Sequence, residues 1–266
     1  MRAPTQTGEE IGMKGFTVRA AALALALIAA ASGAWADIAP VNMETPPPAI
    51  KTQREGELET YDLTFPEEMP LQARNFVLTA RAELEENGWE KLPKNNQYTH
   101  WYYQDEREIG WCSVFQLYCA YHSGMQLIRY RQETDVAPGD CISAMEGRVG
   151  NVYLAFEEHG RWLDGTQGAV PRPGYLVIYG VRGSTPYTHI AIVESVTPVG
   201  EDVYELTTIE GNLNSSVRRL NYRYDASPRQ MYHNMSVVPQ EEITRENCQY
   251  TLQKDTWYVT GFCATW

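Results

Sequence analysis

Apolar side chains recur every three or four positions from residue 71 onward, and charged side chains fill the opposite side of the pattern. The apolar positions are Ala73, Phe76, Val77, Ala80 and Leu84. This spacing predicts an amphipathic helix. Gly88 follows the last apolar position, and glycine is typical of the residue that ends a helix.

A second patterned stretch, residues 111–128, contains no charged side chain. A helix that is apolar on nearly every side is a buried one, so we expect a core helix here. The aromatic-rich segment 95–103 just before it shows no sustained period and is interpreted as a loop. One further helical stretch is expected around residues 152–159.

From residue 173 the hydrophobic period changes to two, which is typical of strands. The predicted strands are 176–179, 190–196, 205–209, 217–222 and 258–263. Helices followed by strands favour an α+β fold with an antiparallel sheet.

The N-terminal region has the pattern of a secretory signal peptide. Lys14 and Arg19 precede an uncharged run, residues 20–34, which ends in a small-x-small tripeptide at residues 34–36. We therefore expect residues 1–36 to be a signal peptide, with Met13 as a candidate true start. An uncleaved anchor is the alternative. The cleaved product would be secreted or periplasmic, with no membrane span.

The remainder divides into three parts by composition. Residues 37–70 are proline-rich without a period and are interpreted as an extended arm or linker. Residues 71–266 are expected to form one domain, within which the polar segment at about 224–256 resembles an insertion. The chain has 266 residues and a formal net charge of −12, which argues against a nucleic-acid partner because phosphate binding needs a basic face.

The chain has five cysteines, Cys112, Cys119, Cys141, Cys248 and Cys263. Export favours disulfides, and we prefer the pairs Cys119–Cys141 and Cys248–Cys263. Cys112 is left out of these pairs mainly because it is a candidate reactive thiol, as described next. A Cys112–Cys141 bond is the alternative. No His or Cys cluster has zinc spacing and no calcium loop occurs, so we expect neither a metal nor a cofactor.

Candidate chemistry begins at Cys112, the first residue of the buried helix. A helix N-terminus favours the thiolate and offers the Cys112 backbone N–H to an oxyanion. His189 opens a predicted strand, and the next strand ends in Glu210 and Asn212, which are two apart and should share a face. Either could accept a hydrogen bond from His189 Nδ1–H. The order cysteine, histidine, carboxylate is that of papain-like enzymes, although Asn212 is also consistent with a simple turn residue.

These residues resemble the CHAP domain, the family of cysteine, histidine-dependent amidohydrolases/peptidases. The similarity runs from about Leu71 to the C-terminus. It is carried by an ordered set of motifs, which are Asn96-Gln97-Tyr98 with Trp101-Tyr102, Trp111-Cys112-Ser113, Pro171-Arg172-Pro173-Gly174, His189-Ile190-Ala191, Glu210-Gly211-Asn212 and Gly261-Phe262. One departure is visible, since the family usually has an aspartate where this chain has Tyr175.

The resemblance implies a papain-like CHAP fold in which N-terminal helices pack on a small antiparallel sheet. It implies that Cys112 is the nucleophile, His189 the general base, Glu210 the orienting carboxylate and Asn212 a supporting residue. Gln97, Tyr98, Trp101 and Trp111 are candidates for substrate binding or for the oxyanion hole, although part of this aromatic group is also consistent with a core role.

The function implied by this resemblance is cleavage of peptidoglycan, either at the muramoyl–alanine amide or within its peptides. The expected partner is peptidoglycan or its peptide fragments, and whether a protein inhibitor exists is not indicated by the sequence. Two alternatives remain open. One is a non-catalytic exported module that binds wall or protein. The other is an amidase for a small substrate, which export disfavours.

Overall fold

Strand pairing organises the protein around one large sheet. The computed structural model describes residues 65–88, 90–227, 231–236 and 256–266, all of which belong to the second of the two units into which the chain divides, Glu44–Trp266. Within these residues the sheet has seven strands, and every neighbouring pair is antiparallel. Two short strands, β1 (Gln126–Ile128) and β2 (Ile142–Ala144), pair in parallel apart from it.

The strands of the large sheet include all five of those expected from the period of two, each somewhat longer than predicted. The seven strands are β3 (Trp162–Asp164), β4 (Leu176–Val181), β5 (His189–Gly200), β6 (Val203–Leu213), β7 (Ser216–Asp225), β8 (Met235–Ser236) and β9 (Trp257–Cys263). Across the sheet they lie in the order β3-β9-β4-β5-β6-β7-β8. The fold is therefore mixed α/β with an antiparallel sheet, as predicted.

Several expectations lie outside the described residues. These are the signal peptide, nearly all of the arm at 37–70, and most of the segment at about 224–256, including Cys248. The described part of that last segment holds β8, which pairs with β7 and so extends the large sheet.

The first helix, α1 (Leu71–Asn87), confirms the amphipathic pattern, with Ala73, Phe76 and Ala80 fully buried. It contacts β5, β6 and β7 of the large sheet. Gly88 ends it in an extended conformation rather than a left-handed one.

A second helix, α2 (Gln97–Tyr103), forms where a loop was expected, so that expectation is wrong. The side chain of Asn96 caps it by accepting hydrogen bonds from the backbone N–H groups of Tyr98 and Thr99. Such a cap satisfies donors that the first helical turn leaves unpaired. With seven residues the helix is too short to show a helical period.

The expected core helix is α3 (Cys112–His122), which is shorter than the uncharged stretch that predicted it. The chain then turns at Gly124 and continues as β1 (Gln126–Ile128), which pairs with β2 (Ile142–Ala144). The helical stretch expected around 152–159 is α4 (Val149–Glu158). None of the helices in the described ranges is long and apolar enough to cross a bilayer.

Buried apolar side chains from five strands form one continuous core against a face of the large sheet. Its members on β4, β5 and β7 alternate, as the two-residue period requires, whereas the register of β9 shifts between its two members. They include Val177 and Tyr179 on β4, Ala191 and Val193 on β5, Leu206 on β6, Leu220, Tyr222 and Tyr224 on β7, and Val259 and Phe262 on β9. Tyr175, the departure from the family pattern, belongs to this core and packs against Trp266.

The preferred Cys119–Cys141 disulfide is not formed, and Cys248, the preferred partner of Cys263, lies outside the described residues. Cys119, Cys141 and Cys263 are free thiols. Cys119 is fully buried within α3, and the Cys141 thiol meets the Ala73 backbone at the start of α1. The alternative Cys112–Cys141 bond is absent as well.

Candidate active site

Three elements bring the sequence-predicted residues together. Cys112 is the first residue of α3 and follows the fully buried Trp111. His189 is the first residue of β5, and Glu210 lies on the adjacent strand β6. The thiol of Cys112 and the imidazole of His189 are hydrogen-bonded, and His189 Nε2 lies 2.9 Å from Glu210 Oε2.

The nitrogen that meets the carboxylate differs from the one expected. Nε2 of His189, not Nδ1, contacts Glu210. Nδ1 is therefore the ring nitrogen left for the Cys112 thiol. Because β5 and β6 are neighbours, Glu210 approaches the imidazole from the sheet side while Cys112 approaches from the helix.

The environment of Cys112 favours its thiolate. Partial burial raises the pKa of this thiol, but the hydrogen bond and the charge of His189 act in the opposite direction. The backbone N–H groups of Ser113 and Ile190 add to the effect of His189, and together they hold the pKa of Cys112 below its ordinary value of 9.0. Ser113 lies in the first turn of α3, where the helix dipole adds to the same preference.

The environment of His189 favours the imidazolium. Burial lowers the pKa of the imidazole, but its hydrogen bonds and charge interactions with Cys112 and Glu210 outweigh burial and raise the pKa to about 10. A lowered thiol pKa beside a raised imidazole pKa describes a thiolate–imidazolium pair.

Two aromatic rings bracket the imidazole. Tyr179 lies directly opposite His189 across the β4–β5 pair, and the two rings are nearly parallel with centroids 5.9 Å apart. Trp257, the first residue of β9, meets His189 edge-on at 5.6 Å. These contacts limit rotation of the imidazole.

Glu210 is fully buried and is held by hydroxyl groups. Its Oε1 atom lies 2.8 Å from Thr208 Oγ1 and 3.1 Å from the Tyr179 hydroxyl. The Tyr179 hydroxyl is in turn 3.1 Å from that of Tyr222. Every carboxylate oxygen of Glu210 therefore has a hydrogen-bond partner, as a buried charged group requires.

Asn212 does not share a face with Glu210 as expected. The β6–β7 register shifts between Glu210 and Leu213, and Asn212 adopts a left-handed conformation with φ of 61°. A bulge of this kind breaks the two-residue alternation. The side-chain amide of Asn212 instead lies near Gly110, two residues before Cys112.

Gly211 allows β6 to approach α3 closely. A Cβ atom at this position would lie 2.3 Å from Cβ of Phe115, far inside van der Waals contact. Phe115 is one helical turn from Cys112. The absence of a side chain at Gly211 thus fixes how near the strand that carries Glu210 comes to the helix that carries Cys112.

Tyr98 and Trp111 are core residues rather than cleft residues. Both side chains are fully buried and stack on each other with centroids 5.3 Å apart. The Tyr98 hydroxyl donates to Glu83 at 2.7 Å, so it is engaged. Their side chains therefore do not line an open cleft, which corrects the expected substrate-binding role of both.

The two remaining candidates lie elsewhere on α2. Gln97 is exposed in the first turn. Trp101 is half-buried against Tyr118, Tyr121 and His122. These three residues belong to the far half of α3, and His122 is ten residues, or roughly 15 Å of helix, beyond Cys112. Trp101 is thus not brought to the thiol.

Sequence reasoning missed Tyr179, Thr208 and Trp257, which surround His189 and Glu210. Thr208 stands two residues before Glu210 on the same strand, so the two-residue period could have placed it on the same face. Tyr179 and Trp257 could be assigned only once the strand register was known. Within the described ranges, no group of three His, Cys, Asp or Glu side chains could hold a metal ion.

Comparison with protein-family models matches residues 98–212 to the CHAP domain. The match confirms the resemblance, although it begins after α1 and ends before β7, so it is shorter than the similarity expected from Leu71 onward. It includes Cys112, His189, Glu210 and Asn212. CHAP domains are amidohydrolases and peptidases as a class. Comparisons with curated proteins and with solved structures find no match.

Proposed function

We propose that this protein is an exported cysteine hydrolase that cleaves an amide bond in peptidoglycan, because residues 98–212 match the CHAP domain. The bond is either the muramoyl–alanine amide or a peptide bond within the wall. Export is proposed from the signal-peptide pattern of residues 1–36, and the expected compartment is the periplasm or the exterior.

The observation that carries the catalytic proposal is the hydrogen-bonded chain from Cys112 through His189 to Glu210. In this chain Cys112 is the nucleophile, His189 the general acid and base, and Glu210 the residue that orients the imidazole. The papain-like architecture is part of the same proposal. It is supported by the order of the three residues and by their placement on a helix start and two adjacent strands.

Acylation begins with the thiolate of Cys112. The sulfur adds to the amide carbonyl carbon, and the resulting oxyanion is stabilised by the Cys112 backbone N–H at the start of α3. A second donor is needed, and Gln97 is the candidate that remains once the Tyr98 hydroxyl is assigned to Glu83. Collapse of the adduct breaks the C–N bond, and His189 gives its proton to the departing amine.

Deacylation reverses the roles. Water loses a proton to His189 and adds to the thioester carbonyl of Cys112. The C–S bond then breaks, which releases the carboxylic acid and restores the thiolate–imidazolium pair. Asn212, whose amide lies near Gly110, is proposed to support the backbone just before the nucleophile.

Digestion of purified peptidoglycan, followed by mass spectrometry of the muropeptides, tests this function and identifies the bond. Cys112→Ala should lower turnover by at least about 1,000-fold, because nothing replaces the nucleophile. Cys141→Ala is the matched control. The Cys141 thiol contacts the Ala73 backbone and not His189, so its removal should leave turnover unchanged.

Full wall hydrolysis by a folded Cys112→Ala protein would overturn the assignment. Absence of any wall cleavage by the unaltered protein would instead favour the two alternatives, a binding module or a small-substrate amidase. The lowered pKa of Cys112 argues against the first of these, because a module that only binds does not need an activated thiol.

A further inference from the structure

The fully buried side of the site contains hydroxyl groups for which the proposed reaction has no direct use. Thr208 and Tyr179 both reach Oε1 of Glu210, at 2.8 and 3.1 Å. The other oxygen, Oε2, faces His189 at 2.9 Å. One carboxylate oxygen of Glu210 thus contacts the imidazole, while the other contacts only hydroxyl groups.

We propose that the Thr208 and Tyr179 hydroxyls are positioning groups, which hold the Glu210 carboxylate in the orientation that presents Oε2 to the His189 imidazole. This inference rests on the proposed function, in which His189 exchanges protons with the thiol. The hydroxyls themselves touch neither Cys112 nor a reacting atom, so they act through Glu210.

The geometry of the donors supports a positioning role. The last torsion of a glutamate side chain is broad and roughly two-fold, so a carboxylate held only at Oε2 could rotate. Hydrogen bonds from two directions onto Oε1 remove that freedom. Thr208 is stiff at χ1 because it is β-branched, and it stands two residues before Glu210, on the same face of β6.

Tyr179 is also held on more than one side. Its ring lies against His189 with an interplanar angle of 20°, and its hydroxyl is 3.1 Å from that of Tyr222. A phenol has a single proton. The Tyr179 hydroxyl can give that proton either to Glu210 or to Tyr222. When it gives the proton to Glu210, the hydroxyls of Tyr179 and Thr208 both direct hydrogens at Oε1.

The groups that reach Glu210 can each donate a hydrogen, the Thr208 and Tyr179 hydroxyls to Oε1 and the His189 imidazole to Oε2. Loss of one hydroxyl would weaken the hold on Glu210 and so weaken the stabilisation of the imidazolium. The thiolate of Cys112 depends on that imidazolium and should then form only at higher pH.

The test measures the alkylation rate of Cys112 by iodoacetamide as a function of pH in the full chain, with mass spectrometry of the peptide that contains this residue. Thr208→Val removes the hydroxyl at nearly constant shape. We expect the midpoint of thiolate formation to rise by about one pH unit, which corresponds to about a ten-fold loss of thiolate stabilisation.

Two further variants separate positioning from general stability. Thr208→Ser keeps a hydroxyl and should restore the midpoint of the unaltered protein. Thr207→Val is the matched control. It is the same threonine-to-valine substitution at the neighbouring position of β6, where the side chain points to the other face of the sheet. Its midpoint should not move.

A folded Thr208→Val protein with an unshifted midpoint would overturn the inference. If Thr208→Val does not fold, Tyr179→Phe removes the second donor and carries the same expectation. Iodoacetamide needs no wall substrate, so the result does not depend on peptidoglycan cleavage. A protein that cuts no wall yet shows the shift would disprove the proposed function and support the positioning role.

Discussion

Gly211→Ala tests whether the spacing between α3 and β6 controls both stability and reactivity. The added Cβ would lie 2.3 Å from Phe115 Cβ and 2.5 Å from its Cγ. Ordinary contact begins at 3.4 Å, so the strand and the helix must separate by about 1 Å. The clash involves the base of the Phe115 side chain, so a change of rotamer cannot relieve it.

Two effects on the free energy of unfolding oppose each other. Alanine restricts the unfolded chain more than glycine does, which stabilises the protein by about 0.4–1 kcal/mol where the native conformation permits it. Overpacking a filled core costs about 1–3 kcal/mol. The clash should win, and we expect a net destabilisation of roughly 1–2 kcal/mol.

The effect on chemistry should be larger than the effect on stability. A displacement of about 1 Å in a catalytic geometry can cost about 100-fold in rate. Moving β6 away from α3 separates Glu210 and His189 from Cys112. Peptidoglycan turnover should therefore fall by about 100-fold in a protein that is still folded.

Urea unfolding and muropeptide release measure the two effects of Gly211→Ala. Gly150→Ala is the control, because the nearest atom to its added Cβ is 4.0 Å away and alanine favours the helix in which it lies. Unchanged stability together with unchanged turnover in Gly211→Ala would refute the reasoning from close approach.

Two further predictions concern the cysteines. His189→Ala should move the thiolate midpoint of Cys112 upward, because burial still raises the pKa of the thiol while the imidazole that lowers it is lost. The unaltered protein should accordingly react with iodoacetamide at pH values below the ordinary thiol value of 9.0, and identical profiles for the two proteins would contradict the pairing. In addition, alkylation under denaturing but non-reducing conditions should label Cys119, Cys141 and Cys263, since all three are free. Protection of any of them until reductant is added would show a bridge.

The sequence predicted those elements whose period is long enough to be visible. The apolar positions of α1 and the two-residue period of β4–β7 persist over many residues, and burial on one side follows from them. Strands β1, β2 and β3 have three residues each, which is too few to establish a period. The helix α2 depends on its cap at Asn96 rather than on any apolar pattern.

The site was predictable in its chemistry but not in its detail. A thiol at a helix start and an imidazole at a strand start are positions that a pattern can indicate, and the structure brings Cys112 and His189 into contact. The bulge at Asn212 could not be foreseen, because alternation assumes an unbroken strand. The nitrogen that meets Glu210 depends on the angle between strands, which no local pattern encodes.

The expectation of a Cys119–Cys141 bond was wrong, because the number of cysteines does not determine which of them meet in the fold. An exported protein with at least four cysteines can form two disulfides, but neither fact determines which side chains meet. Cys119 lies fully buried within α3 and Cys141 lies just before β2, and both are free thiols.

The place of β9 between β3 and β4 has a consequence for the order of folding. β3 and β4 are close in the chain, yet within the large sheet they are joined only through a strand that the ribosome adds about 80 residues later. Pairing over such a distance is slow, because loop closure must precede any gain from contacts. Trp257, whose ring contacts His189, is the first residue of β9 and is therefore synthesised equally late. A nascent chain that already carries the thiol and the imidazole therefore still lacks one wall of the site, and competence for hydrolysis should follow synthesis of β9.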